Sequence, residues 1–322
     1  MKELGVSRTT RFAKDRGLTA RMTFTIFLLG LVYVLFFGLL IAVGVGALTV
    51  VVIAAIFLFV QYFYADKIAL FGMRGHLVTE DQEPQLYQIV ERLAALADMP
   101  MPKIAVSELD IPNAFATGRS PSKAVVCVTR GLQRRLSPQE LEAVLSHELS
   151  HVAHRDVAVM TIASFIGVLA GLLIRVMFYS ELFSGGLGYG GGRGRGGQMQ
   201  GGGQLVAVEM LIMLVSAIVY AISFLLIRAL SRYRELAADR SGAILIGRPA
   251  LLKSALLRIS GAMGQIPTRD LRSAQAFNAF FFTPAIAPRG GIGLGELFST
   301  HPSLEKRIAQ LDALERQLGT AE

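Results

Sequence analysis

Cysteine and charged residues are scarce in this chain, and tryptophan is absent. The 322 residues include one cysteine, Cys127, so an intramolecular disulfide framework and a zinc site built from several cysteines are both excluded. Only 17% of the residues are charged, whereas 52% are hydrophobic and the mean hydropathy is +0.50. This balance is more apolar than that of soluble domains. The composition therefore indicates a membrane protein.

The positive charge of the chain is concentrated next to its apolar runs. The formal net charge is +8, and a basic chain could bind nucleic acid. The basic residues instead lie before the first apolar run, after the second and after the fourth: Lys2, Arg8, Arg11, Lys14, Arg16 and Arg21, then Lys67 and Arg74, then Arg228, Arg232 and Arg234. The positive-inside rule places such segments in the cytoplasm. We therefore expect a multi-pass inner (plasma) membrane protein that contacts the lipid bilayer and binds no nucleic acid.

The longest uncharged segment exceeds the length of one membrane span. Residues 22–64 form 43 positions without a charged side chain. As one helix they would be about 64 Å long, twice the roughly 30 Å hydrocarbon core. The glycines at 43–46 divide the segment, which predicts a hairpin with spans at 22–43 and 46–64. A cleaved signal peptide would be shorter and would not be doubled.

A second pair of apolar runs predicts another hairpin. Residues 157–174 and 205–227 are uncharged or nearly so, and they flank a glycine-rich loop at 184–203. That loop follows no predicted strand and has no lysine placed for a phosphate, so it is predicted to be a flexible linker rather than a nucleotide-binding loop. The 18-residue run is at the short end of spanning length, and its partial burial in protein stays open.

The second hairpin interrupts one predicted cytoplasmic domain. The expected order is a basic tail at 1–21, a transmembrane hairpin at 22–64, the first part of the domain at 65–156, the second hairpin at 157–230 and the second part of the domain at 231–322. Periodic apolar residues in 83–99 predict a helix, and the apolar runs at 103–109 and 124–129 predict strands. The fold class is therefore mainly α, of the α+β type, with four transmembrane helices and a cytoplasmic domain that carries a small β-sheet.

The stretch Ser-His-Glu-Leu-Ser-His at 146–151 carries the most specific chemistry. It lies on a predicted helix whose N-cap is Ser137. Residues four apart share a helix face, so His147 and His151 can bind one zinc ion at about 2.0–2.1 Å. Glu148 lies about 100° around the helix and can take a proton from water at the metal. The pattern predicts a hydrolytic zinc site, and the alternative is a pair of surface histidines with an incidental glutamate.

A hydrolytic zinc site needs a third protein ligand. His154 shares the helix face, but it lies about 10.5 Å along the axis from His147, which is too far for one ion. Glu235 and Asp239 share a helix face after the fourth apolar run, and an antiparallel hairpin brings them to the membrane surface at which His151 lies. One carboxylate can then bind the metal while the other orients a histidine. The alternative is that both acids pair with neighbouring arginines.

Four motifs together give the chain a resemblance to a known family. They are Pro-Asn-Ala-Phe-Ala-Thr-Gly at 112–118, His-Glu-x-x-His at 147–151, Glu-x-x-x-Asp at 235–239 and Ser-Thr-His-Pro-Ser-Leu-Glu-Lys-Arg-Ile at 299–308. The combination resembles the HtpX heat-shock membrane proteases, whose wider family includes the CAAX prenyl proteases. The resemblance runs from the first hairpin to about residue 312. The chain departs from the family pattern in its glycine-rich loop and at Leu236, where an aromatic residue is common.

The resemblance implies a zincin-like site with one Zn²⁺ per chain. Glu235 would be the third metal ligand, and Asp239 would be a carboxylate that orients the ligands. His301 and Arg307 would stabilise the oxyanion of the tetrahedral intermediate. For this last pair, the alternative is a helix start and a surface cation.

The resemblance also implies where substrate would bind. Asn113, Ala114 and Phe115 would lie along the cleft and hold an extended peptide through backbone hydrogen bonds. The residues alone favour a plain turn at Pro-Asn instead.

The predicted function is that of a zinc metalloendopeptidase in the membrane. Glu148 would serve as the catalytic base, and the resemblance implies damaged or misfolded membrane proteins as substrates, in protein quality control and the stress response. Two other functions stay open at this point. One is a prenyl-protein protease of the same family, and the other is a zinc-stabilised membrane scaffold without activity, which would need the metal but not Glu148.

Overall fold

The computed structural model describes residues 16–42, 47–187, 202–266 and 298–319. In chain order, its helices and strands are α1 (Arg16–Ala42), α2 (Ala47–Gly72), β1 (Gly75–Leu77), α3 (Pro84–Leu96), β2 (Lys103–Ser107), β3 (Ala114–Thr117), β4 (Val125–Thr129), α4 (Arg130–Arg135), α5 (Pro138–Ala153), α6 (Asp156–Leu187), α7 (Gly202–Ile246), α8 (Pro249–Gln265) and α9 (Leu304–Gly319). The predicted glycine-rich loop at 184–203 and the basic tail at 1–21 lie mostly outside the described residues. The mainly helical α+β class predicted from the sequence is confirmed.

The strands form one mixed sheet in the order β1-β2-β4-β3. The two inner strands, β2 and β4, are parallel, with Lys103 opposite Val125 and Ser107 opposite Thr129. The outer strands β1 and β3 are antiparallel to their neighbours. Every residue of β4 is buried, which explains why that strand reads as a continuous apolar run rather than an alternating one.

The described residues fall into two compact units. The first contains residues up to Met22, Val60–Val159 and the chain from Arg228 onward, and the second contains Thr23–Phe59 and Met160–Ile227. In the first unit, apolar residues of the sheet pack with those of α3, α5 and α8 in one core. In the second unit, the buried cluster consists of Phe36, Leu169, Ala170, Ile212 and Val219.

Three of the described helices contain segments long and apolar enough to cross a membrane. These segments are Gly17–Leu39, Ala158–Arg175 and Met210–Ile246. The predicted span at 46–64 falls on α2, which is not one of the three. The count of four spans and the cytoplasmic placement of the domain therefore stay predictions.

Candidate metal centre and active site

Helix α5 begins at a complete capping box. The Ser137 hydroxyl accepts a hydrogen bond from the Glu140 amide, and the Glu140 carboxylate accepts one from the Ser137 amide, while Pro138 occupies the first turn. Glu140 also accepts a hydrogen bond from the Ser254 hydroxyl at 2.6 Å. These bonds satisfy amides that a helix start leaves unpaired. The capping box therefore fixes the residue at which α5 begins.

Two histidines of α5 and one glutamate of α7 converge on one point. The Nε2 atoms of His147 and His151 are 3.2 Å apart. Glu235 Oε2 lies 3.7 Å from His147 Nε2, and Glu235 Oε1 lies 3.4 Å from His151 Nε2. Tetrahedral ligands about 2.0–2.1 Å from one zinc ion are about 3.3–3.4 Å from each other. The spacing of these three side chains therefore fits a single small cation.

The second ring nitrogen of His147, Nδ1, faces a buried carboxylate that pairs with a buried cation. Its Nδ1 lies 2.9 Å from Asp239 Oδ1. Asp239 accepts two hydrogen bonds from Arg307, from Nε at 2.7 Å and from Nη2 at 2.6 Å. Burial lowers the pKa of His147 and so favours the neutral imidazole that binds metals. Burial works against the charge of Arg307, but Asp239 raises the pKa of the guanidinium above its ordinary value.

His151 has a second pair of this kind, which sequence reasoning missed. Its Nδ1 lies 2.5 Å from Asp156 Oδ2. Asp156 in turn forms a salt bridge with Arg234, whose side chain is 4% exposed, and Arg234 Nη1 donates to the Asp156 carbonyl at 3.0 Å. Between α5 and α6, Arg155 has a positive φ of 55°. This left-handed residue turns the chain so that Asp156 faces back toward His151.

We expect Asp156→Asn to weaken metal binding by about 10- to 100-fold, as is usual for the loss of a partner that orients a metal ligand. The amide would accept a weaker hydrogen bond from His151 and would remove the charge that pairs with the buried Arg234. Competition titration of the purified chain with a chromophoric chelator measures the affinity. Asp312→Asn is a matched control, because Asp312 pairs with Lys253 at the surface and its loss should leave the affinity unchanged. Equal affinities for Asp156→Asn and the wild type would contradict the orienting role.

Glu148 lies beside this cluster without joining it. Its side chain is buried, and Oε2 accepts a hydrogen bond from the Ala116 amide of β3 at 3.0 Å. Burial raises the pKa of the Glu148 carboxyl to about 8. A buried carboxylate with a raised pKa next to a cation site has the chemistry of a general acid or base.

His301 and Arg307 both approach the candidate third ligand. His301 Nδ1 lies 3.1 Å from Glu235 Oε2, and Arg307 Nη1 lies 3.9 Å from the same atom. Both side chains are buried. Among the described residues, the buried Nε2 of His301 has no hydrogen-bond partner. Two groups that can donate hydrogen bonds therefore converge beside the candidate metal position.

The predicted substrate-binding residues lie at the start of strand β3. Ala114 and Phe115 pair with Val128 and Cys127 of β4, and Asn113 precedes them and is buried. The Ala116 amide points to Glu148 and away from β4. Because backbone groups alternate along an antiparallel strand, those of Ala114 also face outward, whereas those of Phe115 face β4.

A glycine sets the distance between α5 and α7. A Cβ atom at Gly242 would lie 2.7 Å from the backbone nitrogen of His147 and 2.9 Å from its Cα. The Ser146 hydroxyl donates to the Gly242 carbonyl at 3.1 Å across the same contact. Glu235 reaches the histidines because the two helix backbones touch here, and no sequence pattern indicated that Gly242 has this role.

We expect Gly242→Ala to lower both stability and metal content. The added methyl group meets backbone atoms that cannot rotate away, and such overpacking costs about 1–3 kcal/mol. Thermal unfolding and metal stoichiometry of the purified chain measure the two effects. Gly261→Ala is the control, because a Cβ there meets nothing within 4 Å and should be neutral or stabilise α8 by up to about 1 kcal/mol. Identical behaviour of the two variants would show that the helix contact does not depend on Gly242.

Comparisons with known proteins agree on one family. The model of peptidase family M48 matches residues 80–315, which include both histidines and the glutamate of the cluster. Protease HtpX homolog 1 of Streptomyces coelicolor is 57% identical over 312 residues, and the alignment covers 97% of each chain. Protease HtpX homolog of Moorella thermoacetica is 49% identical over 308 residues, covering 96% of this chain and 98% of the relative.

A solved structure has the same fold. The crystal structure of S. mikatae Ste24p superposes with a TM-score of 0.54, covering 92% of this chain and 67% of that chain at 19% sequence identity. At that identity the similarity concerns the fold alone.

Proposed function

On the premise that this chain belongs to peptidase family M48 and is a membrane metalloprotease, we propose that it binds one zinc ion through His147, His151 and Glu235. The observation that carries the proposal is the convergence of these three ligands, whose donor atoms all lie within 4.8 Å of one another. Two imidazoles and one carboxylate are a common ligand set of hydrolytic zinc sites. Asp239 and Asp156, which lie next to the Nδ1 atoms of His147 and His151, support the same assignment. Ligating histidines usually donate a hydrogen bond from their second ring nitrogen to such a carboxylate.

Glu148 is the proposed general base and acid for peptide-bond hydrolysis. When bound, zinc acts as a Lewis acid that polarises the substrate carbonyl and lowers the pKa of a coordinated water. Glu148 accepts a proton from the attacking water and then donates it to the leaving amine. A bound divalent cation favours the ionised form of a neighbouring carboxyl, so it opposes the effect of burial and prepares Glu148 to accept the proton.

His301 and Arg307 are proposed to stabilise the developing oxyanion. Buried donors that point to the position of the negative charge contribute to catalysis without reorganising. His301 fits this role through its buried Nε2, and Arg307 fits it through its buried guanidinium, which binds Asp239 and approaches Glu235 with Nη1 at 3.9 Å. Asp239 is proposed to orient His147 and to fix the position of Arg307.

The substrate is proposed to lie along the outer edge of β3. An extended peptide can add to such an edge through backbone hydrogen bonds. Ala114 offers outward backbone groups, whereas Asn113 and Phe115 shape the edge from within the sheet. Because the Ala116 amide binds Glu148, a peptide on this edge is held next to the proposed base.

The natural substrates are proposed to be misfolded or damaged membrane proteins. Two observations support this class: apolar helices precede and interrupt the M48 domain, and the relatives are proteases named HtpX homologues. The basic residues that flank the apolar runs support a multi-pass arrangement in the plasma membrane with the active site on the cytoplasmic side.

Metal depletion and replacement test this function. We expect the detergent-purified full-length chain to contain one zinc ion, to cleave casein, to lose cleavage after treatment with a chelator, and to regain it when zinc is added. A chain that binds zinc but cleaves neither casein nor an unfolded membrane protein would instead be a scaffold. Cleavage confined to prenylated carboxyl-terminal peptides would identify the prenyl-protein protease.

A further inference from the structure

The last turns of α2 have a buried face and an exposed apolar face. From Val60 onward, α2 belongs to the same compact unit as the candidate active site. Ala69 and Met73 are buried in the core of that unit, and the Ser107 hydroxyl donates to the Met73 carbonyl at 2.6 Å. The other side carries exposed apolar and aromatic side chains three or four residues apart: Val60, Tyr64, Ile68 and Phe71. A helix that faces water carries polar residues on its outer side, so this face of α2 fits an apolar partner.

The lipid bilayer is the partner that the neighbouring residues indicate. The exposed face continues the uncharged stretch of residues 22–64, which includes the predicted span at 46–64. Just beyond that span, the amine of Lys67 lies 5.2 Å from the centre of the Tyr64 ring. Tyrosine is enriched at the boundary between the hydrocarbon core and water, and lysine at its cytoplasmic side. Tyr64 and Lys67 therefore fit a position at the membrane surface.

The carboxyl end of β3 is attached to α2 at this level. Gly118 follows the strand with a φ of 125°, and a Cβ atom there would lie 2.5 Å from a backbone oxygen, so this sharp turn requires glycine. Arg119 then contacts α2. The Tyr62 hydroxyl donates to the Arg119 carbonyl at 3.5 Å, and the Arg119 guanidinium lies 4.6 Å from the centre of the Phe63 ring. Because Tyr62 and Phe63 directly precede Tyr64, β3 ends beside the part of α2 that fits the membrane surface.

The proposed base lies a short distance along the same strand. Ala116, whose amide binds Glu148, precedes Arg119 by three residues, and three residues of extended chain cover about 10 Å. We propose that the cleft accepts the peptide segment next to a membrane span of the substrate, so that cleavage occurs within about ten residues of that span. This inference rests on the proposed function. It narrows the substrate class from membrane proteins in general to their juxtamembrane segments.

Tryptophan fluorescence tests the position of α2, because the chain contains no tryptophan of its own. The full-length variants Tyr64→Trp and Ile68→Trp are reconstituted in phosphatidylcholine vesicles, with and without bromine on the acyl chains near the headgroup. We expect brominated lipid to quench both variants. Leu257→Trp is the control, because Leu257 is exposed on α8 of the same unit and should show no quenching. Equal quenching at the three positions, or none at Tyr64 and Ile68, would overturn the proposal.

Cleavage mapping tests the substrate class. The full-length chain is reconstituted in vesicles with a designed substrate that has one apolar span and a long unfolded tail of repeated sequence. A strand edge can pair with a peptide of either direction, so one substrate carries the tail before the span and another carries it after. Mass spectrometry of the products locates the first cleavages. We expect them to cluster within about ten residues of the span in at least one substrate, whereas an added soluble protease should cut the whole tail.

A double variant tests the attachment of β3 to α2. Tyr62→Phe with Arg119→Gln removes the hydroxyl and the guanidinium that join the two elements. We expect this variant to cleave casein in detergent at the wild-type rate, while the share of cleavages next to the span falls by about two- to fivefold. Arg248→Gln is the matched control, because it removes an exposed arginine of the same unit outside these contacts and should keep the wild-type distribution.

Casein separates failure of this inference from failure of the proposed function. A wild type that cleaves casein but cuts both tails evenly, or only far from the span, overturns the inference alone. A wild type that cleaves neither casein nor the tails overturns the proposed function and the inference with it. A double variant that keeps the wild-type distribution of cleavages would overturn the attachment on which the inference depends.

Discussion

Glu148→Gln is expected to reduce casein cleavage by about 10²- to 10⁴-fold, the usual contribution of a general base, while the chain keeps its metal. Glutamine has nearly the same shape, and its side-chain oxygen can still accept the hydrogen bond from the Ala116 amide. It cannot take a proton from water. Cleavage rates measured together with metal content by elemental analysis separate the two effects.

Glu142→Gln is the matched control for that experiment. Glu142 lies six residues earlier on the same helix and pairs with Arg92 at 2.7 Å, away from the metal cluster. We expect it to cleave casein at the wild-type rate. Substantial cleavage by Glu148→Gln would require another base, and a simultaneous loss of metal would show that Glu148 supports the metal site itself.

Glu235→Gln should produce the largest loss of metal. It removes the carboxylate of the proposed ligand set, and it leaves His301 and Arg307 facing a neutral side chain. Because loss of a partner behind a ligand already costs about 10- to 100-fold in affinity, the loss of a ligand should exceed that range. We expect purified Glu235→Gln to contain much less than one zinc ion per chain and to cleave no casein.

Addition of excess zinc after chelation provides a second test of this prediction. Excess zinc should restore little cleavage to Glu235→Gln, whereas it should restore the chelated wild type fully. Glu315→Gln changes an exposed glutamate of α9 and should leave metal content unchanged. A Glu235→Gln chain with a full zinc ion would contradict the ligand role and point to another carboxylate.

Local sequence was sufficient for the helix that carries the catalytic motif. The start of α5 follows from Ser137, Pro138 and Glu140, because a capping box forms within four residues. The spacing of His147 and His151 on one side follows from the helical repeat alone. The apolar runs could also be identified from the sequence, because hydrophobicity over about 20 residues does not depend on the rest of the fold.

Sequence patterns did not predict the two short outer strands of the sheet, β1 and β3. The strands at 103–109 and 124–129 were predicted and correspond to β2 and β4, which are buried and rich in valine, isoleucine and alanine. Strand β1 has three residues and β3 has four. Strands this short show no clear alternation, and each is defined by its pairing with an inner strand rather than by its own residues.

The sequence by itself determined that this is a membrane protein and that His147 and His151 share one helix face. Helical spacing also placed Glu235 and Asp239 on one face, and the family resemblance supplied their proposed roles. Only the tertiary structure brought Asp156 and Arg234 to His151, placed the Ala116 amide on Glu148, and made Gly242 the contact that sets the distance between α5 and α7. The physical reason is the range of the interactions. Caps, helical spacing and hydropathy act between near neighbours in the chain, whereas these contacts depend on where a turn at Arg155 and the packing of distant helices place each side chain.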